Sequence, residues 1–168
     1  MPYCTADDLV NVFTTNIILE REIKLKEFNF KLLHGILPCN YNLKNWKIKD
    51  KNDCDVCGQV QTIEHLLYEC DYVKPLWGLV EQICDVDINF KKILGLDRCC
   101  EHNNLLTVVC FLIYKEWLLL SLEKKKRNEN IQLSFYKEEL SVRLAIYEKC
   151  TRFDYTLKEF MNEIIINM

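Results

Sequence analysis

Cys54-Asp-Val-Cys57-Gly58-Gln-Val-Gln-Thr62-Ile-Glu-His65-Leu-Leu-Tyr-Glu-Cys70 decides how the rest of the chain is read. A Cys-x2-Cys pair, seven residues and then His-x4-Cys put three thiols and one imidazole within seventeen residues. Soft sulfur with borderline nitrogen is a zinc donor set, and four protein ligands leave no position open for water. The expectation is therefore one structural Zn2+ ion held by Cys54, Cys57, His65 and Cys70. Cys54-x-x-Cys57 followed by Gly58 reads as a zinc knuckle, a tight turn in which glycine supplies backbone freedom and amides face the sulfurs. Thr62 stands where it can cap a helix starting at Ile63, with His65 in the first turn and Cys70 at the end. Five residues span about 140° on an ideal α-helix, so the last turn must tighten or unwind before both side chains reach one ion. Ordinary buried cysteines and a core histidine are the competing reading. It leaves the spacing, the glycine and the cap to coincidence.

Upstream of the knuckle the charge is uneven. Arg21, Lys24, Lys26, Lys31, Lys44, Lys47, Lys49 and Lys51 stand against Glu22, Glu27 and Asp50, a balance of +5 in a chain whose net charge is −3. The acidic total argues against indiscriminate nucleic-acid binding by the whole surface, while the local excess offers phosphate contacts beside the metal. Lys44, Lys47, Lys49 and Lys51 are the candidates, with Trp46 among them as a face on which a base can stack. Each has a plainer reading: Trp46 packs beside the metal site, and the lysines offset the net −1 of three thiolates on Zn2+.

The surrounding pattern is helical. Thr5-Ala6-Asp7-Asp8 can cap a short helix over Leu9 to Phe13, and a second stretch runs from about Ile17 to Leu37, with Ile23, Phe30, Leu33 and Leu37 at helical spacing and Pro38 as its stop. His34 on this stretch reads as a packed or capping residue. Asn40 can cap a short helix over Tyr41 to Trp46. Downstream, Pro75 opens a helix reaching about Cys84, and Ile88 to Leu94 is a short helix stopped by Gly95. Asn103 or Asn104 caps the longest apolar stretch, Leu105 to Leu122. Lys115 and Glu116 interrupt it, leaving an uninterrupted run to Tyr114 shorter than the about 20 residues a bilayer requires, so it reads as a central core helix. Glu123-Lys-Lys-Lys-Arg127 is a charged helix end that suits the dipole, a phosphate or an import signal. Leu133, Tyr136, Leu140, Leu144 and Tyr147 form the stripe of a further helix, and Thr156-Leu-Lys-Glu159 matches a capping box before a last one. No stretch requires a strand.

The fold expected is mainly α, with the Cys-Cys-His-Cys knuckle embedded between helical segments: 1–53 an N-terminal helical segment, 54–70 the knuckle, 71–168 a helical C-terminal subdomain, all in one unit. Four glycines and three prolines leave little room for linkers. The N-terminus, Met1 to Asp8, has neither a basic start nor an apolar run, and ten cysteines without a disulfide-like spacing suit an intracellular, reducing setting. Cys99-Cys100-Glu101-His102 could be half of a second metal site, but no matching half stands near it.

With these residues in hand, the sequence resembles the C-terminal zinc-binding region of reverse transcriptases encoded by non-LTR, LINE-type retrotransposons. The likeness is carried in order by Phe28-Asn-Phe-Lys-Leu-Leu-His-Gly-Ile-Leu-Pro38, Leu43-Lys-Asn-Trp46, Cys54-x-x-Cys57, Thr62-Ile-Glu-His65-Leu66, Cys70 and Lys74-Pro-Leu-Trp77, and more weakly by Ile93-Leu-Gly-Leu96 and the helix from Asn104 to Trp117. Seven residues between Cys57 and His65 separate it from the retroviral nucleocapsid knuckle, which has four. The resemblance implies a zinc region downstream of a polymerase that helps hold RNA or target DNA, with Cys54, Cys57, His65 and Cys70 as ligands and a nuclear setting. The chain lacks the paired aspartates of a two-metal polymerase and any nuclease-like acidic cluster, so no catalysis, small-molecule substrate or membrane partner is expected. The other class of function open to it is a structural module docking on a polymerase body or on a second copy, with zinc only ordering the chain.

Overall fold

The long apolar helix is the element against which most others pack. The computed structural model of the protein describes residues 23–96, 103–123, 131–148 and 155–168, and among them the fold is mainly helical with no strand. In chain order the elements are α1 (Ile23–Leu33), α2 (Asn40–Asn45), α3 (His65–Glu69), α4 (Lys74–Cys84), α5 (Phe90–Ile93), α6 (Asn103–Leu122), α7 (Leu133–Glu148) and α8 (Tyr155–Asn167). α6 packs against α1, α3, α5, α7 and α8, and α8 lies against both α4 and α7. The 19 residues Asn104–Leu122 are together apolar and long enough to cross a membrane, Lys115 and Glu116 notwithstanding, but 61% of the apolar window is buried in this fold. Leu105, Leu106, Val108, Val109, Leu112 and Ile113 are enclosed, which makes α6 the central core helix.

α1 offers α6 the face of Leu25, Phe28 and Leu32, and the Phe28 ring meets Phe111 edge-on at 5.5 Å. Ile23 and Phe30, read from periodicity as part of the inner stripe, are 79% and 47% exposed, because the partner selects a face one step round the helix. Gly35, not Pro38, ends α1. Its φ of 68° lets Gly35 N bond Leu32 O and Ile36 N bond Lys31 O, a Schellman ending two residues before the proline could act. His34 is exposed rather than packed inside, its ring 4.2 Å from that of Phe30.

α4 and α5 follow the sequence closely. Proline stands in the first turn of α4, and the end of α5 closes on Gly95 at φ 71°. α7 buries Tyr136, Leu140, Leu144 and Tyr147 as its stripe requires, and α8 buries Leu157, Met161 and Ile164. Two caps differ. Thr156 sits within α8, not at its cap, because the helix is already running at Tyr155, and Asn104 lies inside α6 with its Oδ1 buried and unpartnered. The buried apolar side chains form one cluster from Leu25 to Ile164, which includes Cys54 and Cys70. The helix read over Leu9 to Phe13, the stretch before Ile23, the half-site at 99–102 and the cations at 124–127 lie outside the described residues.

Candidate metal centre

The knuckle is a closed turn held by its own backbone. Cys54 N bonds Gln59 O at 2.7 Å, Gly58 N bonds Cys54 O at 3.0 Å, and Asp53 and Val60 form an antiparallel bridge across its base. Gly58 adopts φ 73°, and a Cβ there would meet nothing within 4 Å. The need for glycine is therefore conformational, not steric. Gly58→Ala should cost about 1–2 kcal/mol, the strain of an L-residue in the left-handed region. Chemical denaturation of the metal-loaded protein measures it, and an unchanged midpoint would show that the turn relaxes freely.

Gln61 ties this turn to the core. It is 1% exposed. Its Oε1 accepts from Asn40 N at 3.1 Å and its carbonyl from Tyr41 N at 3.1 Å, so Gln61 supplies the N-terminal cap of α2. Asn40, expected to cap that helix itself, lies inside α2 and turns its side chain outward from the helix: Nδ2 donates to Asp53 O at 2.8 Å and Oδ1 accepts from Lys49 Nζ at 2.8 Å. Neither of these roles carried a local signal, since both residues act across gaps of 9 to 21 positions.

Thr62 does cap the following helix, its Oγ1 accepting from His65 N at 3.0 Å. After Ile63 and Glu64 the backbone widens into a π turn over His65–Glu69, closed by Cys70 N to His65 O at 3.0 Å. Cys70 then leaves in extended conformation at ψ 132°. Of the two remedies open to a five-residue spacing, unwinding is the one adopted. An i to i+5 bond replaces the i to i+4 bond and brings both side chains to one side, and such π turns gather at functional sites.

The four side chains meet. Cys54 Sγ is 3.7 Å from Cys70 Sγ, Cys57 Sγ is 3.2 Å from His65 Nε2, and all four donor atoms lie within 4.8 Å of one another. Tetrahedral zinc with bonds of about 2.3 Å to sulfur and 2.0–2.1 Å to nitrogen sets ligand separations of about 3.8 and 3.6 Å. The residues fit that ion. Cys54, His65 and Cys70 are buried, while Cys57 is at the surface. The Cys54 thiol is held well below its ordinary range, first by the Cys70 thiol and then by the backbone amides of Cys57 and Val56. Cys70 is pushed up by the same contact and by burial, with the Tyr72 amide opposing the shift. A bound cation would favour the thiolate form of both cysteines. These amides are the donors expected of a knuckle.

The residues considered for nucleic acid divide. Trp46 is 44% exposed. Lys44, Lys47, Lys49 and Lys51 are exposed, and among the described residues none forms an ion pair. Lys44 Nζ reaches Asn52 Oδ1 at 3.3 Å, and Lys49, bound to Asn40, lies 5.7 Å from the centre of the Trp117 ring. Lys49 is thus committed to the fold. A cleft of about 540 Å³ beside Cys54 is lined by Lys49 and Lys51 but also by Asp50, Asp53 and Asp55, so the charge excess does not reach the knuckle itself. Lys44 and Lys47 are not part of that lining.

No curated protein and no solved structure matches the chain. The match to a family model ends at Trp77, so the likeness of the segments beyond it rests on the quoted residues alone. Residues 6–77 match the family described as zinc-binding in reverse transcriptase, a span that includes all four clustered donors.

Proposed function

We propose that the protein is a non-catalytic module, related to the zinc region of LINE-type reverse transcriptases, in which one structural Zn2+ on Cys54, Cys57, His65 and Cys70 orders a surface that holds RNA or DNA. The observation that carries this reading is Trp46: an indole 44% exposed, flanked in sequence by Lys44 and Lys47, next to a family-matched metal segment. Ammonium groups take phosphates and the ring takes a base face, which gives salt-dependent binding with little base specificity. Lys51 adds less, since aspartates share its cleft, and Lys49 adds least. Four donors around one point leave no place for a substrate or water on the metal, which argues against a zinc hydrolase. The intracellular and nuclear setting follows from the same proposal.

Binding of zinc-loaded protein to labelled single-stranded RNA and duplex DNA across a salt series tests it. Micromolar binding should weaken with salt, and replacing Lys44, Lys47 and Lys51 by Gln should make the slope shallower by roughly one unit for each phosphate no longer neutralised. Trp46→Ala should cost about 1–3 kcal/mol on single strands and less on duplex. Affinity indifferent to salt and to all four changes would defeat the proposal. The second reading, a docking module for a polymerase body or a second copy, is favoured by Leu118, Leu119 and Leu122 at the end of α6 and Val142 and Ile146 on α7, all exposed. Failure to bind nucleic acid at low salt, together with concentration-dependent self-association, would favour it.

A further inference from the structure

The two flanks of the metal segment meet α6 at neighbouring residues. Upstream, Lys49 lies over the ring of Trp117. Downstream, Tyr72, two residues past Cys70, donates from Oη to Glu116 Oε1 at 2.7 Å. The other oxygen of Glu116 accepts from Tyr136 Oη of α7 at 2.8 Å. Tyr72, Glu116 and Tyr136 are 2%, 5% and 1% exposed, so the carboxylate is shut in with its two phenol donors. Tyr72 belongs to both systems, two residues from a metal-site cysteine by sequence and bonded to α6 through its hydroxyl.

We propose that Glu116 couples occupation of the metal centre to the seating of α7. The proposal rests on zinc being held by the four-residue cluster. A Cys70 side chain fixed on the ion fixes in turn the short segment that carries Tyr72, in which Val73 N bonds Cys70 O at 3.0 Å. Tyr72, so fixed, keeps its hydrogen bond to Glu116. Weakening the Tyr72 hydrogen bond to this buried carboxylate weakens the network it shares with Tyr136, so Glu116 and Tyr136 shift together and α7 loosens with them. Coupling of this kind is reciprocal: whatever factor zinc adds to the stability of α7, the seating of α7 adds to the affinity for zinc.

Tyr72→Phe and Tyr136→Phe keep the rings that fill the core and remove only the hydroxyls. Zinc affinity is measured by competition with a chromophoric chelator, and hydrogen exchange is followed across Leu133–Glu148 with and without zinc. Ile164→Val on α8, a buried change outside the Tyr–Glu–Tyr contact, controls for general destabilisation. Both Phe variants should lose zinc affinity by about three- to tenfold, while Ile164→Val should not. Zinc should slow exchange in α7 of the unaltered protein by a similar factor, and this response should vanish in both Phe variants. Normal zinc uptake with α7 exchange indifferent to it, or Tyr136→Phe binding zinc as tightly as the unaltered protein, would overturn the coupling alone. No zinc uptake by the unaltered protein would overturn the metal reading as well.

Discussion

Cys57→Ser should lower zinc affinity by a hundredfold or more. A structural zinc with four ligands contributes roughly 10–16 kcal/mol of apparent binding free energy, so one missing thiolate costs on the order of 3 kcal/mol. Cys57 is the right ligand to change because it is at the surface, whereas Cys54 and Cys70 belong to the buried apolar cluster and their loss would confound metal binding with packing. Its sulfur faces His65 Nε2 at 3.2 Å, so the change also removes the neighbour that fixes this edge of the site. Competition with a chromophoric chelator reads the affinity, and hydrogen exchange reads the consequence. Protection should fall first between about residues 51 and 71, where a turn and a π segment are held largely by local bonds, while the interior of α6 stays protected. Equal exchange across that segment in both proteins would mean that the metal contributes nothing to the order of the knuckle.

The metal cluster was legible in the sequence because each of its parts is a local pattern. Cys54-x-x-Cys57-Gly58 encodes a turn by itself, Thr62 encodes a cap three residues before His65, and the mismatch between a five-residue spacing and an α-helix already announced an irregular turn. The form that turn took was not local. It widens into a π segment in which Leu66 and Leu67 also enter the core, both fully buried there. Helix ends were less legible where two signals competed. Pro38 is the stronger stop in sequence, yet Gly35 acts first by closing a Schellman ending. Asn40 had the right residue type to cap α2, but a distant glutamine took that role and freed the asparagine to pin the knuckle. Periodicity alone could not choose between adjacent faces of α1, since α6 decides whether Phe28 or Phe30 goes inside. Nothing in the local sequence distinguished Glu116 from a solvated charge on an apolar helix; its two phenol partners come from 20 and 44 residues away.

Leu67→Ala should destabilise the whole protein while leaving all four donors in place. Leu67 is fully buried, and its carbonyl accepts from Trp77 Nε1 at 2.8 Å, so the side chain and backbone of one residue join the metal-bearing turn to α4 and the core. Truncating a buried leucine costs about 2–5 kcal/mol, part from reduced burial and part from the cavity left behind. For a chain of this size each kcal/mol moves the unfolding midpoint by about 2–4 °C, so a drop of roughly 10 °C is expected in the zinc-loaded protein. Ile166→Ala, at a side chain 77% exposed, should move stability by no more than about 0.5 kcal/mol. The contrast with Cys57→Ser separates two sources of order. One variant removes a ligand with little apolar burial, and the other removes burial and keeps every ligand. If the metal segment were an appendage on an independent helical core, Leu67→Ala would affect only local exchange between residues 51 and 71 and leave the global midpoint in place. A full-sized fall in that midpoint, followed by thermal denaturation monitored at the α6–α7 helices, would mean that the knuckle and the C-terminal helices melt as one cooperative body.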